Sequence, residues 1–294
     1  MSMKQAHLVD VSSLFFRYYF APGRSLVNEE GWEVGALAHT VNWLVKDEFL
    51  SADVVVVAFD ESLGTGFRHE LDDDYKANRP LPTEDIVYQL TLLKHFCEAL
   101  GYCVLASEEF EADDLLASAI ASLNGFECTV HSRDKDLRQL ISATASVVDP
   151  VSGQVWTERA LWEEMKLTPD QIPLYLALMG DSSDNITGLP GIGDKTAKAL
   201  LLDCPNLPDL MSTVESGGAL NVRGAKRVAE TIIEYEDLIH HNLKLTELTK
   251  HAPVVVPALD RDLDLPDVFD ALCERFGIAS WCARSVDKFR EHRE

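Results

Sequence analysis

Five short apolar runs in the first half of the sequence constrain the fold more than any other feature of the chain. They are rich in valine, and most are apolar on both sides of the strand alternation, which is typical of strands buried on both faces of a parallel sheet. The runs cover residues 7–11, 53–59, 102–106, 127–132 and 145–148. Helix-like segments lie between them, at 34–49, 83–100 and 112–123. This alternation predicts an α/β domain with a parallel sheet.

The sequence pattern changes to helices and turns after about residue 160. Thr168 and Pro169 predict a helix start, because threonine caps helices and proline fits the first helical turn. A turn-rich loop is predicted at 188–193, helices at 195–202 and 223–235, a proline-rich extended segment at 252–266, and a last helix from about Pro266. We therefore expect two regions, an α/β domain at 1–167 and a helical region at 168–294.

The net charge of the chain is strongly negative. There are 49 acidic and 26 basic residues, so the formal charge is −23. Taken alone, this charge argues against nucleic-acid binding, because phosphate neutralisation requires lysine and arginine. The acids either cover a solvated surface or gather in one site that holds metal ions, and composition leaves both readings open.

Composition and cysteine usage indicate the cellular compartment. No apolar run approaches the roughly 18 residues of a membrane span, and the N-terminus lacks the apolar stretch of a signal peptide. The six cysteines show neither a CxxC pair nor zinc spacing. We therefore expect reduced thiols in a cytoplasmic protein, and we take the chain to be a monomer by default.

Acidic residues follow several of the predicted strands. Because the carboxyl ends of parallel strands share one edge of a sheet, acids far apart in sequence would meet there. A second acidic group begins the helix predicted at 112–123, where the helix dipole favours carboxylates, and a third lies in the sequence GDSSDN. The candidates are Asp10, Asp60, Asp134 and Asp136 at strand ends, Glu111, Asp113 and Asp114 at the helix start, and Asp181 and Asp184 in GDSSDN.

Each of these acids alone could be a helix cap, a turn residue or a surface residue. Nine ionised carboxylates in one place would raise one another's pKa values and oppose folding unless cations relieve the repulsion. Oxygen-only ligands suit Mg²⁺ or Mn²⁺. Two such ions, about 3.5–4 Å apart, can activate a water and stabilise the leaving oxygen of a phosphodiester. The acids therefore predict a metal-dependent phosphodiesterase.

The motifs resemble those of the 5′ nuclease family, which includes the 5′–3′ exonuclease domain of bacterial DNA polymerase I and the phage flap endonucleases. They cover nearly the whole chain: VD at 9–10, FD at 59–60, YKANRP at 75–80, EADDLLA at 111–117, DKDLRQLI at 134–141 and GDSSDNITGLPGIGDKTAKALL at 180–201. The resemblance implies a PIN-like nuclease domain followed by a helix-hairpin-helix region, with all nine acids in the metal site. No polymerase region follows residue 294, so a free-standing member is expected.

The resemblance also implies roles for several basic and aromatic residues. Tyr75, Lys76 and Arg79 would lie near the base of a helical arch over the active site. Lys76 and Arg79 would stabilise charge on the scissile phosphate, and Tyr75 could stack on an unpaired base. The alternative is a solvated basic turn. Arg17 matches a family arginine near the scissile phosphate, and its aromatic neighbours are expected mainly in the core.

Three positions depart from the family pattern. Val11 and Arg133 stand where many members have glycine, and Thr187 stands where they have proline. Arg133 could pair with Asp134 or touch substrate.

The sequence GLPGIGDKTA matches the hairpin of a helix-hairpin-helix. Its glycines allow close approach of the backbone to a phosphate, which helix N–H groups would then contact without reading the base sequence. The expected DNA-binding residues are Gly191, Ile192, Gly193, Asp194, Lys195 and Thr196. The family often binds K⁺ here through main-chain carbonyls, which would be those of Leu178, Met179, Thr187, Leu189 and Ile192.

The expected function is that of a structure-specific 5′ nuclease, a 5′–3′ exonuclease and flap endonuclease that acts on branched or flapped DNA in replication or repair. RNA–DNA hybrids are a further candidate substrate. Two alternatives remain open: a paralogue that binds junctions without cutting them, and a ribonuclease of the broader PIN class that acts on single-stranded RNA. The sequence leaves open the balance of endonuclease and exonuclease activity.

Overall fold

The central sheet has six strands in the order β3-β2-β1-β4-β5-β6. The structure, a computed structural model, describes residues 3–23, 25–62, 64–257 and 265–293. The first five strands are parallel, and β6 runs antiparallel to β5. The prediction of an α/β fold with a mainly parallel sheet is therefore confirmed. The strands are β1 Lys4–Asp10, β2 Val54–Asp60, β3 Cys103–Ser107, β4 Phe126–His131, β5 Ala145–Val148 and β6 Val155–Trp156.

The predicted first strand, 7–11, was wrong at both ends, because β1 begins at Lys4 and Val11 belongs to a helix. Asp10 is the N-cap of that helix, and its Oδ1 accepts a hydrogen bond of 3.0 Å from the Ser13 backbone N–H. A capping aspartate leaves the strand conformation at the residue where the helix begins. The other four predicted strands agree with the structure to within one residue at each end.

Helices cover both faces of the sheet and divide the buried side chains into two clusters. Leu8, Val56 and Val130 point into one cluster, whereas their neighbours Val9 and Val57 point into the other. This alternation is what strands buried on both faces require. The helices of this region are α1 Val11–Tyr19, α2 Gly35–Leu44, α3 Asp47–Leu50, α4 Phe67–Leu71, α5 Glu84–Ala99 and α6 Ala112–Ser122.

The single helix predicted over 34–49 was wrong, because the structure has two helices, α2 and α3, in that segment. The Lys46 backbone between them is extended, with φ −84° and ψ 154°. Its carbonyl accepts hydrogen bonds from the N–H groups of Phe49 and Leu50, which starts the second helix.

The helix α7 ends just before the helical region, which contains a small two-stranded hairpin. Thr168 and Gln171 form a capping box at a 3-10 turn, Pro169–Gln171, that leads into α8 as predicted. Asn242 on α12 binds the strand β8 and the last turn of α8 together. The elements are α7 Glu158–Met165, α8 Ile172–Met179, β7 Gly180–Asp181, β8 Ile186–Thr187, α9 Asp194–Asp203, α10 Leu207–Glu215, α11 Ala225–Glu234 and α12 Glu236–Thr246.

The last two helices pack on the α/β region although they follow the helical region in sequence. They are α13 Leu265–Arg275 and α14 Ala279–Arg293. Phe269 and Phe289 are fully buried in the cluster formed by α2 and α5. Part of the extended segment predicted at 252–266, namely 258–264, lies outside the described residues. None of the described helices is long and apolar enough to cross a membrane.

We predict that Gly188→Ala strongly destabilises the fold. A Cβ at this position would lie 2.1 Å from the Met179 carbonyl oxygen and 2.3 Å from its carbonyl carbon. These are backbone atoms, so the overlap can be relieved only by separating β8 from the end of α8, at a cost of about 2 kcal/mol or more. Urea denaturation should show a lowered midpoint. Gly193→Ala is the control, since its Cβ would meet no atom within 4 Å; equal midpoints for the two variants would contradict this account.

Candidate metal centre

Acidic residues from separate strands meet at the carboxyl edge of the sheet. Asp10 ends β1 and Asp60 ends the neighbouring strand β2. Asp134 and Asp136 follow β4, which pairs with β1 on its other side. Ser132 joins two of these strand ends, because its hydroxyl donates to Asp10 Oδ2 at 2.7 Å and accepts from the Asp134 backbone N–H at 2.9 Å. The topology therefore gathers acids that are up to 126 positions apart.

Two further acidic groups reach this edge from other elements. Glu111 and Asp113 lie at the start of α6. Asp181 and Asp184 lie in the hairpin of the helical region, both more than nine-tenths buried. Repulsion from Asp184 contributes to the raised pKa of Asp134. The acids of the helical region therefore lie close to those of the sheet edge.

The carboxylates at this edge are harder to ionise than usual. Burial, with repulsion from Asp134 and Asp60, raises the pKa of Asp10 to about 6. Burial followed by repulsion from neighbouring carboxylates raises the pKa values of Asp113 and Asp136 well above their usual range. The pKa values of Asp60 and Asp134 are raised for the same reasons. Burial is the largest cause of these shifts, and negative charge that the protein's own cations do not fully compensate adds to it.

Lysine and arginine side chains compensate part of the charge. Lys76 Nζ lies 2.5 Å from Glu111 Oε1 and 3.7 Å from Asp184 Oδ2. Arg79 contacts Asp184 at 2.5 Å, and Lys135 contacts Asp181 at 2.8 Å.

Two of the acids consequently remain easy to ionise. Burial opposes ionisation of Glu111, but Lys76 and Arg68 outweigh it and lower the pKa of Glu111. Burial likewise acts against Asp181, and Lys135 and Ser183 outweigh it and lower the pKa of Asp181.

The residues at this edge fit divalent cations in charge and in donor chemistry. Their donors are carboxylate oxygens, which Mg²⁺ and Mn²⁺ prefer. Asp136 Oδ1 is buried and has no hydrogen-bond partner among the described residues. A buried oxygen without such a partner is expected where a cation would be its ligand partner. No three of the described His, Cys, Asp or Glu side chains already enclose one point as a metal site. Lys76 and Lys135 instead hold some of the oxygens.

Asp114, expected as a metal ligand, lies in a different environment from the other eight acids, because buried donors of the protein itself hold both of its oxygens. It is completely buried, and its two oxygens accept hydrogen bonds from the Arg68 guanidinium at 2.5 and 2.9 Å. The backbone N–H groups of Thr249 and Glu111 donate to the same oxygens at 2.9 and 3.3 Å. A carboxylate has about four lone-pair positions, and four donors fill them.

The segment after α4 does not form the helical arch that the family resemblance implies. Residues 72–83 are turns and irregular backbone that lie against the β7–β8 hairpin. The Lys76 N–H donates to the Asp184 carbonyl at 2.9 Å, and the Asn185 side chain donates to the Asp74 carbonyl at 2.7 Å. Lys76 and Asn185 both have left-handed backbones, with φ of 53° and 59°. Such conformations cost about 1 kcal/mol each, so the hydrogen bonds offset local strain.

Tyr75 is buried, which corrects the expectation that its ring stacks on an unpaired base. Only 3% of the residue is exposed, and its ring packs beside His69, Ile186 and Leu245. Its hydroxyl donates to Glu111 Oε2 at 3.0 Å. Tyr75 therefore holds a carboxylate of the centre instead of facing solvent.

Two arginines of interest lie on the surface. Arg17 is exposed on α1 and forms no ion pair with any described residue. Its neighbours Phe15 and Leu14 are core residues, whereas Phe20 is 73% exposed. Arg133 contacts Asp149 at 3.7 Å and is half exposed, so it does not pair with Asp134.

The glycine hairpin is open on its outer side. Added Cβ atoms at Gly191 or Gly193 would meet no atom within 4 Å, and Gly193 is the N-cap of α9. Lys195 is exposed, whereas the Ile192 side chain belongs to the core. Asp194 accepts a hydrogen bond from the Tyr175 hydroxyl at 2.7 Å.

Sequence reasoning missed the cations that hold the carboxylates in place. Arg68 and Lys135 were not singled out, although Lys135 lies between two predicted ligands. That position alone indicates a role for Lys135. Arg68 has no comparable signal, because an arginine in the sequence FRHEL is usually exposed.

Comparison with known proteins identifies similar sequences over most of the chain. Residues 5–166 match the family described as “5′–3′ exonuclease, N-terminal resolvase-like domain”, and residues 167–268 match “5′–3′ exonuclease, C-terminal SAM fold”. The chain is 35% identical to the thermostable DNA polymerase I of Thermus aquaticus over 251 residues, which are 85% of this chain and 29% of that protein. It is 36% identical to DNA polymerase I of Mycobacterium leprae over 259 residues, 84% of this chain and 27% of that protein. The chain thus spans less than a third of the length of these relatives.

Solved structures share the fold along nearly the whole chain. The structure of the bacteriophage T5 5′-exonuclease with divalent zinc ions has a TM-score of 0.66 and 22% identity, and covers 99% of this chain and 100% of that one. The catalytic core of Rad2 in complex with DNA substrate has a TM-score of 0.61 and 13% identity, and covers 99% and 92% of the two chains. The resolvase-like, PIN-type architecture with a C-terminal helical fold is therefore confirmed.

We predict that Mg²⁺ raises the melting temperature more at pH 8 than at pH 5. The pKa of Asp10 is raised to about 6, and Asp60, Asp113, Asp134 and Asp136 shift in the same direction. A raised pKa in the folded state stabilises the metal-free fold at low pH, and this contribution is lost as the pH rises through about 6. The same deprotonation creates cation ligands, so Mg²⁺ should raise the melting temperature by about 5 °C at pH 8.

Thermal melts with EDTA or Mg²⁺ at both pH values, at matched ionic strength, measure this difference. Glu111 and Asp181 have lowered pKa values, so their contribution to stability changes with pH in the opposite direction. The five acids with raised pKa values outnumber these two. Equal shifts at pH 5 and pH 8 would show that the strand-end acids do not bind the ion.

Proposed function

The chain belongs to the 5′–3′ exonuclease family, and on that premise we propose that it is a structure-specific 5′ nuclease that hydrolyses phosphodiester bonds in DNA. The observation that carries this proposal is the convergence of eight buried or half-buried carboxylates at one sheet edge, beside three cations. The chain continues from Asp181 and Asp184 into an open glycine hairpin. A site of this composition suits a phosphodiester, whose negative charge must be met by cations at the moment of cleavage.

We propose that the metal ligands come from these eight acids, namely Asp10, Asp60, Glu111, Asp113, Asp134, Asp136, Asp181 and Asp184. When bound there, two or more Mg²⁺ or Mn²⁺ ions would supply Lewis-acid activation of a water and charge neutralisation at the leaving oxygen. Lys76 and Arg79 would exchange their present carboxylate partners for the oxygens of the scissile phosphate. Arg17, unpaired on the neighbouring helix among the described residues, would contact an adjacent phosphate.

The hairpin at 188–196 is proposed as the grip on the duplex. No side chain caps the start of α9, and the positions of Gly191 and Gly193 beside it are open, an arrangement that suits a phosphate. Asp194, Thr196 and Lys195 lie in the first helical turn, and only Lys195 adds positive charge. Backbone contact is independent of base sequence and needs few basic side chains, which fits a chain of charge −23.

A K⁺ ion is proposed at the base of this hairpin. Its ligands would be the main-chain carbonyls of Leu178, Met179, Thr187, Leu189 and Ile192. The close packing of Gly188 on the Met179 carbonyl supports the proposal, because it brings two stretches of backbone together there. The Thr187 carbonyl also accepts a hydrogen bond of 2.9 Å from Asn242, which leaves it a second lone pair.

The finer features of the activity belong to the same proposal. We propose flapped or nicked DNA as the substrate, with RNA–DNA hybrids as a second one, and a monomeric protein that works in replication or repair. A cytoplasmic location is supported by six cysteines that are all free.

We predict that Asp134→Asn lowers Mg²⁺-dependent cleavage of a 5′-flap duplex by about 100-fold or more, while flap binding in Ca²⁺ persists. The substitution removes a negative charge that interacts with those of Asp10, Asp113, Asp136 and Asp184, and with it a candidate cation ligand. Single-turnover cleavage and fluorescence anisotropy measure the two quantities. Asp237→Asn, at an exposed acid on α12, is the matched control and should cleave like the wild type.

The same assay separates the alternatives. A wild-type protein that binds flap DNA without cutting it would be a junction-binding paralogue. Preferential cleavage of unstructured RNA over flap DNA would indicate a single-strand ribonuclease. Full activity of Asp134→Asn would remove this residue from the metal site.

We predict that Gly193→Val weakens duplex binding about tenfold or more without lowering metal affinity. The valine side chain would meet no protein atom, so it would occupy only the space proposed for a phosphate. Gly193→Ala should have a smaller effect because its methyl group projects less far. Anisotropy with a blunt duplex measures the affinity, and calorimetry with Mn²⁺ measures the metal. Unchanged duplex affinity in both variants would exclude the hairpin as the grip.

A further inference from the structure

Arg68 is the largest fully buried side chain of the described residues, with 1% exposure. A buried guanidinium is costly to desolvate and is retained only where all its donors are satisfied. Its partners are carboxylate and carbonyl oxygens, and Asp114 binds it in a bidentate pair. Burial acts to lower the pKa of Arg68, but Asp114 outweighs it, so the charge is kept. The pair is therefore a permanent ion pair inside the protein.

The contacts of Arg68 connect the sheet edge to the helical region. On one side, its Nη1 lies 3.2 Å from Glu111 Oε2, at the start of α6. On the other side, it donates to the carbonyls of Leu245 at 2.8 Å and Glu247 at 2.9 Å, at the C-terminal end of α12. Carbonyls at a helix end lack partners within the helix, and an arginine there is favoured. Arg68 is thus bonded at the same time to α6 and to α12.

The helix α12 is hydrogen-bonded to α8 and β8, the elements that precede the glycine hairpin in the chain. Asn242, 2% exposed, donates to the carbonyls of Ala177 and Thr187, both at 2.9 Å. The Thr246 hydroxyl donates to the Pro173 carbonyl at 3.0 Å. The helix α12 therefore links Arg68 to Thr187, directly before the glycine hairpin, through buried hydrogen bonds.

The two oxygens of Glu111 are held in different ways. Oε1 contacts Lys76, which lies on the irregular loop 72–83. Oε2 contacts Arg68 and the Tyr75 hydroxyl, both of which are buried. Oε1 has one cationic partner, whereas two buried side chains hold Oε2, so we take Oε1 as the oxygen that a second cation can approach.

We propose that Arg68 and Asp114 are positioning residues, which fix the Glu111 carboxylate relative to the helical region, and that Asp114 does not bind metal. The proposal rests on the proposed function only in that Glu111 is taken as a ligand. The pair fixes the distance between the metal centre and the hairpin at 188–196. A duplex bound at the hairpin would then place its scissile phosphate at the carboxylates. Such supporting contacts typically change metal affinity or activity by about 10- to 100-fold when they are lost.

The first test counts bound ions, using Mn²⁺ alone in calorimetry on the full chain. Asp114→Asn should bind as many ions as the wild type, with weaker affinity, whereas Asp113→Asn should bind fewer. The loss of an ion in Asp114→Asn would overturn the proposal, because Asp114 would then be a ligand. This measurement needs no cleavage, so it stands even if the protein cuts a substrate other than the proposed one.

The second test separates positioning from stability. Arg68→Lys keeps the charge but cannot bond to Asp114 and to both α12 carbonyls at once. It should bind blunt duplex in EDTA within about twofold of the wild type, yet need about tenfold more Mn²⁺ for half-saturation. Phe269→Leu, in the other hydrophobic cluster, is the control for lowered melting temperature. The proposal fails if Phe269→Leu weakens Mn²⁺ binding to the same extent, or if Arg68→Lys leaves it unchanged.

The third test examines whether the two residues act together. The Mn²⁺ affinity of the double variant Arg68→Lys/Asp114→Asn should be no weaker than that of the worse single variant, since one pair is being removed. Fully additive losses would mean that the residues act separately and would overturn the proposal. If Arg68→Lys does not fold at the temperature of the assay, the nearly isosteric Asp114→Asn still decides the ion count.

Discussion

Repulsion among carboxylates is the constraint on which the rest of this structure depends. Five chain segments deliver acids to one sheet edge, where burial weakens the screening that water would provide. Burial and repulsion raise the pKa of Asp10 to about 6 and raise the pKa values of Asp113 and Asp136 well above their usual range. A fold can hold this much negative charge only if cations are near. The protein supplies a few of its own, and we propose that divalent ions supply the remainder.

The cations of the chain fall into two kinds with different consequences. Lys76 and Arg79 lie on the irregular loop 72–83 and pair with Glu111 and Asp184, and we propose that a phosphate replaces these carboxylate partners. Arg68 is buried and bonded to two separate elements, so its contacts persist. The first kind suits transient charge at the scissile bond. The second kind keeps the acids in a fixed arrangement while the transient partners change.

The position of the acids also explains how a chain with a charge of −23 could bind DNA, as we propose. Much of the charge that matters lies inside the site, where metal ions would reverse its effect on a phosphate. The surface that we propose for the duplex is a stretch of backbone with two glycines and Lys195, so attraction there would depend little on the total charge. In this proposal, electrostatic attraction acts at the acidic site, whereas backbone geometry acts at the glycine hairpin.

The sequence by itself determined the features that depend on local pattern. Valine-rich runs specified a parallel sheet, the acids after those runs specified its functional edge, and the glycines of the hairpin specified an open turn. Only the tertiary structure decided which acid meets which cation. Asp114 follows Asp113 directly, yet it lies under Arg68, because a helix turns adjacent residues in different directions. Tyr75 and Arg68 are buried by residues more than 100 positions away, Ile186 and Leu245, and no local pattern records contacts at that separation.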